Sequence, residues 1–179
     1  RGDTLAQPAF LENDTLKTFN VILANPPYSI KAWDQKAFSN DPFGRNLWGT
    51  PPQGCADYAF QQHIMKSLNP ETGRCVVLWP HGVLFRDSEA EIRKRMIEED
   101  YVDAVIGLGK NLFYNSSMES CLLVCRMKKP KERKGKIQKE TCRKEAAIFV
   151  WASVKSTKFV VRGKESGRSG AQWHVRMAN

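Results

Sequence analysis

Asn25-Pro26-Pro27-Tyr28 are the residues of this chain best suited to chemistry, because they follow directly on the apolar run Phe19-Asn20-Val21-Ile22-Leu23-Ala24. A rigid di-proline turn at the carboxyl end of a strand directs the asparagine side chain and the carbonyls after it outward. That is the edge at which α/β sheets bind ligands. An exocyclic amino group has two hydrogens to place, and the Asn25 side-chain oxygen and the Pro26 main-chain carbonyl are two acceptors for them. Engaging both hydrogens moves the nitrogen toward sp3 geometry and frees its lone pair for attack on an electrophilic methyl group. No strong base is needed. Tyr28 adds an aromatic face for a planar base, a contact worth about 1–3 kcal/mol per stacked base. The plain alternative is that the tetrapeptide is only a turn, but four consecutive apolar residues before it favour the edge of a sheet.

The rest of the chain must supply that sheet. Phe19–Ala24, Cys75–Trp79, Val102–Leu108 and Cys121–Met127 read as strands, the first two of them buried, with helical stretches between the early ones. This alternation predicts an α/β fold. The last two strands have only a loop between them, which predicts an antiparallel hairpin at one edge of an otherwise parallel sheet. Ala56, Ala59, Phe60, Ile64 and Leu68 form one helical stripe, closed by Asn69-Pro70. Ser88 with Glu91 has the spacing of a capping box for a second helix. On that helix Glu89 and Arg93, and Glu91 and Arg95, stand at i, i+4 in the favourable order. Those charges read as a solvated face and Ile92, Met96 and Ile97 as the buried one. Residues 29–54 show no sustained period and read as a long loop, of a length that is often functional.

The chain has 179 residues, 41% hydrophobic, 26% charged and 10% aromatic. Such values describe one globular domain and exclude a disordered, collagen-like or coiled-coil chain. The formal charge of +9 is unevenly placed: residues 1–125 carry 12 Lys and Arg against 15 Asp and Glu, whereas residues 126–179 carry 16 against 4. A boundary is therefore expected between a catalytic part, 1–127, and a basic extension, 128–179, ending in a flexible Gly- and Ser-rich stretch at 163–170. The basic segment either contacts phosphates or is an ordinary solvated tail. Ile148–Trp151 and Lys158–Val161 read as two further short strands. The five cysteines have no CxxC pair and no zinc spacing, so reduced thiols are expected, with Cys75, Cys121 and Cys125 as core residues. His63 and His81 lack partners at ligand spacing, and no metal site is expected. No stretch approaches the roughly 20 apolar residues of a membrane span, so a soluble, cytoplasmic protein is expected.

Several ordered motifs together carry a family resemblance. These are Gly2-Asp3-Thr4-Leu5, the run Phe19 to Ser29, Ala56-Asp57-Tyr58-Ala59-Phe60, Pro80-His81-Gly82-Val83-Leu84-Phe85-Arg86, and Val105-Ile106-Gly107-Leu108 with Asn111-Leu112-Phe113-Tyr114. Over about residues 1–136 the chain resembles the methylation subunit of type I restriction-modification systems, a group of N6-adenine DNA methyltransferases. The resemblance implies a partial Rossmann-like, S-adenosylmethionine-dependent methyltransferase fold, made of the later strands of the sheet with its terminal antiparallel hairpin. It implies transfer of a methyl group from S-adenosylmethionine to an adenine extruded from DNA. The complex would include a specificity subunit and a restriction subunit, with no membrane partner. Asn25, Pro26, Pro27 and Tyr28 would be catalytic, Asn25 and Pro26 holding the amino group. Tyr28 and Phe113 would stack on the two faces of the base. Asp3 and Asn25 would lie at the cofactor, although a turn cap suits Asp3 equally. Lys31, Trp33 and Arg45 would either touch DNA or order the loop over the base.

The chain departs from the family pattern in three places. The Gly-rich first motif belongs upstream of Asp3, and Gly107-Leu108-Gly109 follows the wrong strand to replace it. Asn115-Ser116-Ser117-Met118 stands where Gly-Thr-Gly-Ile is usual, and beyond Lys136 the likeness fades. Two other functions remain compatible with these residues. One is a non-catalytic fragment that serves binding or assembly, and the other is amino methylation of RNA or of protein glutamine.

Overall fold

The structure, a computed structural model, describes residues 2–109, 117–141, 159–163 and 172–177. A small ribbon comes first, in which β1 (Leu11–Glu12) pairs antiparallel with β2 (Thr15–Leu16). Asn13 and Asp14 join them at φ 50° and 59°, the pair of left-handed residues that a two-residue hairpin turn requires. Then follow β3 (Val21–Ala24), α1 (Gln35–Ser39), α2 (Asp57–Lys66), β4 (Arg74–Pro80), α3 (Ala90–Glu98), β5 (Val102–Leu108) and β6 (Ser120–Arg126). Three strands lie beyond: β7 (Lys136–Thr141), β8 (Phe159–Gly163) and β9 (Gln172–Met177).

All but the first two strands form one sheet in the order β3-β4-β6-β5-β7-β9-β8. β3 and β4 are parallel, and β6 runs antiparallel to both β4 and β5. β3, β4 and β5 consequently point the same way and end at a common carboxyl edge. The expected β5-β6 hairpin is present, but β6 is slotted between β4 and β5, and the sheet continues beyond the hairpin. β7 pairs in parallel with β5 over Ala104–Gly107, so the sheet crosses the boundary expected after Met127. Lys129, buried, donates to Asp100 Oδ1 at 2.6 Å and to the Lys136 carbonyl at 2.9 Å, and Arg133 reaches Asp103 Oδ1 at 3.0 Å. These bonds tie the start of the basic segment to the sheet, and residues 128–141 are not a loose tail. The expected strand at 158–161 is met by β8, whereas 148–151 and the Gly- and Ser-rich 164–170 lie outside the described residues.

Helices α2 and α3 cover one face of the sheet. Tyr58, Ile64 and Met65 from α2 and Ile92 and Met96 from α3 pack with Cys75, Val77 and Trp79 of β4 and with Cys121, Leu123 and Cys125 of β6. The intervening residues Val76, Leu78, Leu122 and Val124 are only half-buried, which is the period-2 pattern of a sheet covered on one side. β3 is not a buried strand. Val21 and Leu23 are 50% and 77% exposed, because among the described residues β3 is the outermost strand of the sheet and only Ile22 and Ala24 meet the core.

Two further expectations fail around α3. Ser88 does not cap it; the helix follows a 3-10 turn at Asp87–Glu89, and no side chain caps its first turn. Glu89 and Arg93 are buried and do not belong to a solvated face. Arg93 donates to the Val83 and Arg86 carbonyls at 3.3 and 3.1 Å, and Glu89 accepts from Arg86. The 29–54 loop is packed onto the body of the protein: it contains α1, capped by Asp34, and buries Arg45, Phe38 against Leu5, Ala56 and Ala59, and Trp48 in the main core.

Candidate active site

Asn25 emerges from the end of β3 at the carboxyl edge, exposed to solvent. β4 runs three residues further than the pairing with β3, to Pro80, and so places Trp79 as a wall beside the turn. The Tyr28 ring packs against Trp79 with centroids 6.4 Å apart and planes at 47°. Trp79 is itself fixed by a bond from Nε1 to Gln61 Oε1 at 2.9 Å. Burial, with the nearby Cys121 and Asp57 adding to it, raises the Tyr28 phenol above its ordinary pKa, so the hydroxyl keeps its proton. It donates that proton to Asn25 Oδ1 at 2.9 Å. The carbonyl oxygen of Asn25 is thus held in one orientation with a second lone pair left to accept.

A buried polar cluster stands behind the turn. Ser29, directly after the tetrapeptide, adopts φ 51°, and its amide donates to Asp57 Oδ1 at 2.6 Å. Asp57 Oδ2 accepts from Arg86 Nη2 at 2.5 Å and from the Cys55 thiol at 3.1 Å. Arg86 also donates from Nε to Glu89 Oε2 at 2.7 Å and reaches Ser29 Oγ at 3.4 Å. Asp57 and Glu89 are both 0% exposed. Burial raises the Glu89 carboxyl, against the opposing effect of Arg86, and pushes the Cys55 thiol up to about 12. Burial also works against the charge on Arg86, but its bonds to Asp57 and Glu89 outweigh that and raise its pKa. Ligand atoms of Cys55, Asp57 and Glu89 lie within 4.8 Å of one another, yet Arg86 already engages both carboxylates.

The other expected site residues are scattered. Asp3 Oδ1 accepts from the Leu5 and Ala6 amides at 2.9 and 3.2 Å, the turn cap that was one of its two readings. Lys31 is exposed. Trp33 is half-buried, its Nε1 donating to the Gln53 carbonyl at 3.0 Å and its ring meeting Phe38 edge-on at 5.7 Å. Phe113 lies outside the described residues. Arg45 requires a correction. Only 2% exposed, it pairs with Asp41 Oδ1 at 2.6 Å and donates to the Thr4 and Leu5 carbonyls at 2.9 and 2.7 Å. Its guanidinium is consumed inside the protein and orders the loop, so it is not presented to DNA. Sequence reasoning missed Asp57, Arg86 and Glu89 as parts of the site, although the first two lie in quoted motifs. It also missed the structural use of Trp79.

His81 contacts Glu119 Oε2 through Nδ1 at 3.2 Å. His63, beside the Arg45 loop, is brought down from 6.5 to about 4 by burial, with Arg45 adding to the effect and Asp41 opposing it. A histidine kept neutral in the folded chain but free to protonate when unfolded makes stability fall as pH drops from 6.5 toward 4. Urea midpoints at pH 7 and pH 5 are expected to show this loss, and His63→Gln is expected to shrink it.

A family model described as N-6 DNA Methylase matches residues 1–156. The type I restriction enzyme HindI methylase subunit of Haemophilus influenzae is 32% identical over 138 residues, covering 76% of this chain and 29% of that protein. The solved type I restriction-modification system methyltransferase subunit of Streptococcus thermophilus matches with a TM-score of 0.67 at 33% identity, over 78% of this chain and 29% of that one. A structure from Listeria monocytogenes, described as a class I S-adenosylmethionine-dependent methyltransferase, shares the fold at 18% identity and a TM-score of 0.50, over 70% of this chain and 38% of that one. The sheet is therefore part of a Rossmann-like methyltransferase fold. The chain belongs to the N-6 DNA methylase family, and it spans under a third of the length of the HindI and Streptococcus relatives. Among the described residues no helix is long and apolar enough to cross a membrane.

Proposed function

We propose that this chain supplies the amino-acceptor half of an adenine-N6 DNA methyltransferase, the modification subunit of a type I restriction-modification complex that includes specificity and restriction subunits. The observation that supports this most is the Asn25 oxygen, exposed at the carboxyl edge of the sheet and oriented by Tyr28. The adenine amino group gives one hydrogen to Asn25 Oδ1 and the other to the Pro26 carbonyl. Its nitrogen becomes pyramidal, with the lone pair aimed away from the turn. Tyr28, braced by Trp79, stacks on one face of the base, and Phe113 is assigned to the other. Base extrusion is required because an N6 inside the duplex cannot be aligned for in-line attack.

S-adenosylmethionine, when bound, supplies the electrophilic methyl group at this edge. This chain fits only part of such a cofactor. Asn25 is open to it, whereas Asp3 has one carboxylate oxygen committed to its own turn and would offer Oδ2. Lys31 and Trp33 lie in the loop that follows the turn and are assigned to the DNA side.

Radiolabelled methyl transfer tests the proposal, with the intact protein that carries this chain offered duplex DNA, RNA and protein separately. Label in DNA, recovered as N6-methyladenine, is the expected result. Label only in RNA or in a glutamine side chain would change the acceptor. No transfer and no saturable cofactor binding would leave a binding or assembly role.

A further inference from the structure

We propose that Asp57 and Arg86 are a positioning pair for the acceptor turn, holding Asn25 and Tyr28 in working geometry through the backbone of Ser29. The inference rests on the acceptor role given above to the tetrapeptide. Ser29 sits at φ 51°, a left-handed conformation in which a residue with a side chain stays only when its surroundings over-determine it. The surroundings here are specific. The Ser29 amide is held by Asp57 Oδ1 at 2.6 Å, and its hydroxyl lies 3.4 Å from Arg86 Nη1. Releasing Ser29 allows the chain to relax toward a right-handed conformation, which rotates Tyr28 off Trp79 and carries Asn25 with it.

Asp57 can do this only while its carboxylate is held still. It is the first residue of α2, where the helix dipole favours a negative charge. Its second oxygen is clamped by Arg86 and Cys55. Arg86, in turn, is fixed by Glu89 from the turn before α3. A Cβ at Gly82 would stand 3.3 Å from Arg86 Nη1, so the glycine gives the guanidinium its space. Three segments that are distant in sequence therefore converge on one backbone amide: the turn after β3, the start of α2 and the stretch after β4. Two fully buried carboxylates around one guanidinium are an expensive way to gain stability alone, since well-packed apolar residues often do as well. Their position directly against Ser29 gives the charges a use in geometry.

The test uses the intact protein carrying this chain, with Arg86→Gln, Arg86→Lys, the double variant Arg86→Gln with Ser29→Gly, and Asn25→Ala as reference. Three quantities are read: kcat and KM for DNA methylation, hydrogen exchange at the Ser29 amide, and Tm. Arg86→Gln is expected to lower kcat by about 10- to 100-fold, the scale of a misplaced reacting group, with KM for DNA within about twofold. It is also expected to speed exchange at Ser29. Arg86→Lys should recover part of kcat. Ser29→Gly should recover more, because glycine holds φ 51° without help.

Unchanged kcat and unchanged exchange in Arg86→Gln would overturn the proposal, as would a kcat loss that follows Tm and is not relieved by Ser29→Gly. Should Arg86→Gln fail to fold, Arg86→Lys decides: normal kcat and normal exchange there would count equally against the pair. Full activity in Asn25→Ala would instead remove the acceptor reading, and exchange at Ser29 would still judge the contact.

Discussion

Asn25→Ala is expected to reduce methyl transfer to DNA by about 10²- to 10³-fold, the usual loss when one preorganised hydrogen-bonding group is removed from a reacting centre. The loss should fall on kcat. DNA binding draws mainly on phosphate contacts. Folding should be unaffected, because Asn25 is exposed and, among the described residues, its side-chain oxygen accepts from the nearby Tyr28 hydroxyl alone. Asn25→Asp keeps an acceptor oxygen in the same place and should retain part of the activity. Single-turnover methylation with saturating DNA, alongside thermal unfolding of each variant, separates these outcomes. Alanine activity within about threefold of the parent protein would remove the central role of this side chain.

Arg45→Ala should act on stability, with an expected cost of about 3–5 kcal/mol, the range for breaking a buried ion pair from one side. The arginine and Asp41 side chains are each only 2% exposed. Removing the guanidinium leaves the carboxylate buried without its partner and strips the Thr4 and Leu5 carbonyls of their donor. Packing is lost too, since the guanidinium carbon lies 5.7 Å from the Phe38 ring centre and 5.3 Å from that of Phe43. Urea unfolding measures the change. A shift below about 1 kcal/mol, the scale of an exposed pair, would contradict the buried position of Arg45.

The contrast between these two residues shows what a sequence reveals. Asn25 was legible because its setting is local: an apolar run, then two prolines that stop the strand, then an aromatic. The strands β4, β5 and β6 were legible as short apolar runs, and the helix α2 by its apolar residues at spacings of three and four. Arg45 was ambiguous because its partners Thr4 and Leu5 are about 40 residues away and lie in an aperiodic stretch. Glu89 and Arg93 misled because four-residue spacing is the usual mark of a solvated ion pair. Here Glu89 turns back across the 3-10 turn to Arg86, and Arg93 turns inward to backbone carbonyls. Asp57 sat in a motif that marked the family but revealed no contact, since its bond to Ser29 spans 28 residues. β7 was hidden by its lysines. It joins the sheet through backbone pairing with β5, and Lys129 and Arg133 anchor the segment leading into it on Asp100 and Asp103.

The outermost place of β3 among the described residues has a geometric consequence at Asn25. One side of that strand offers a row of amides and carbonyls, and Asn25 stands at the end of the row. Any chain that zips onto this rim runs about 4.8 Å away, close enough for whatever caps its own end to share a chamber with the asparagine.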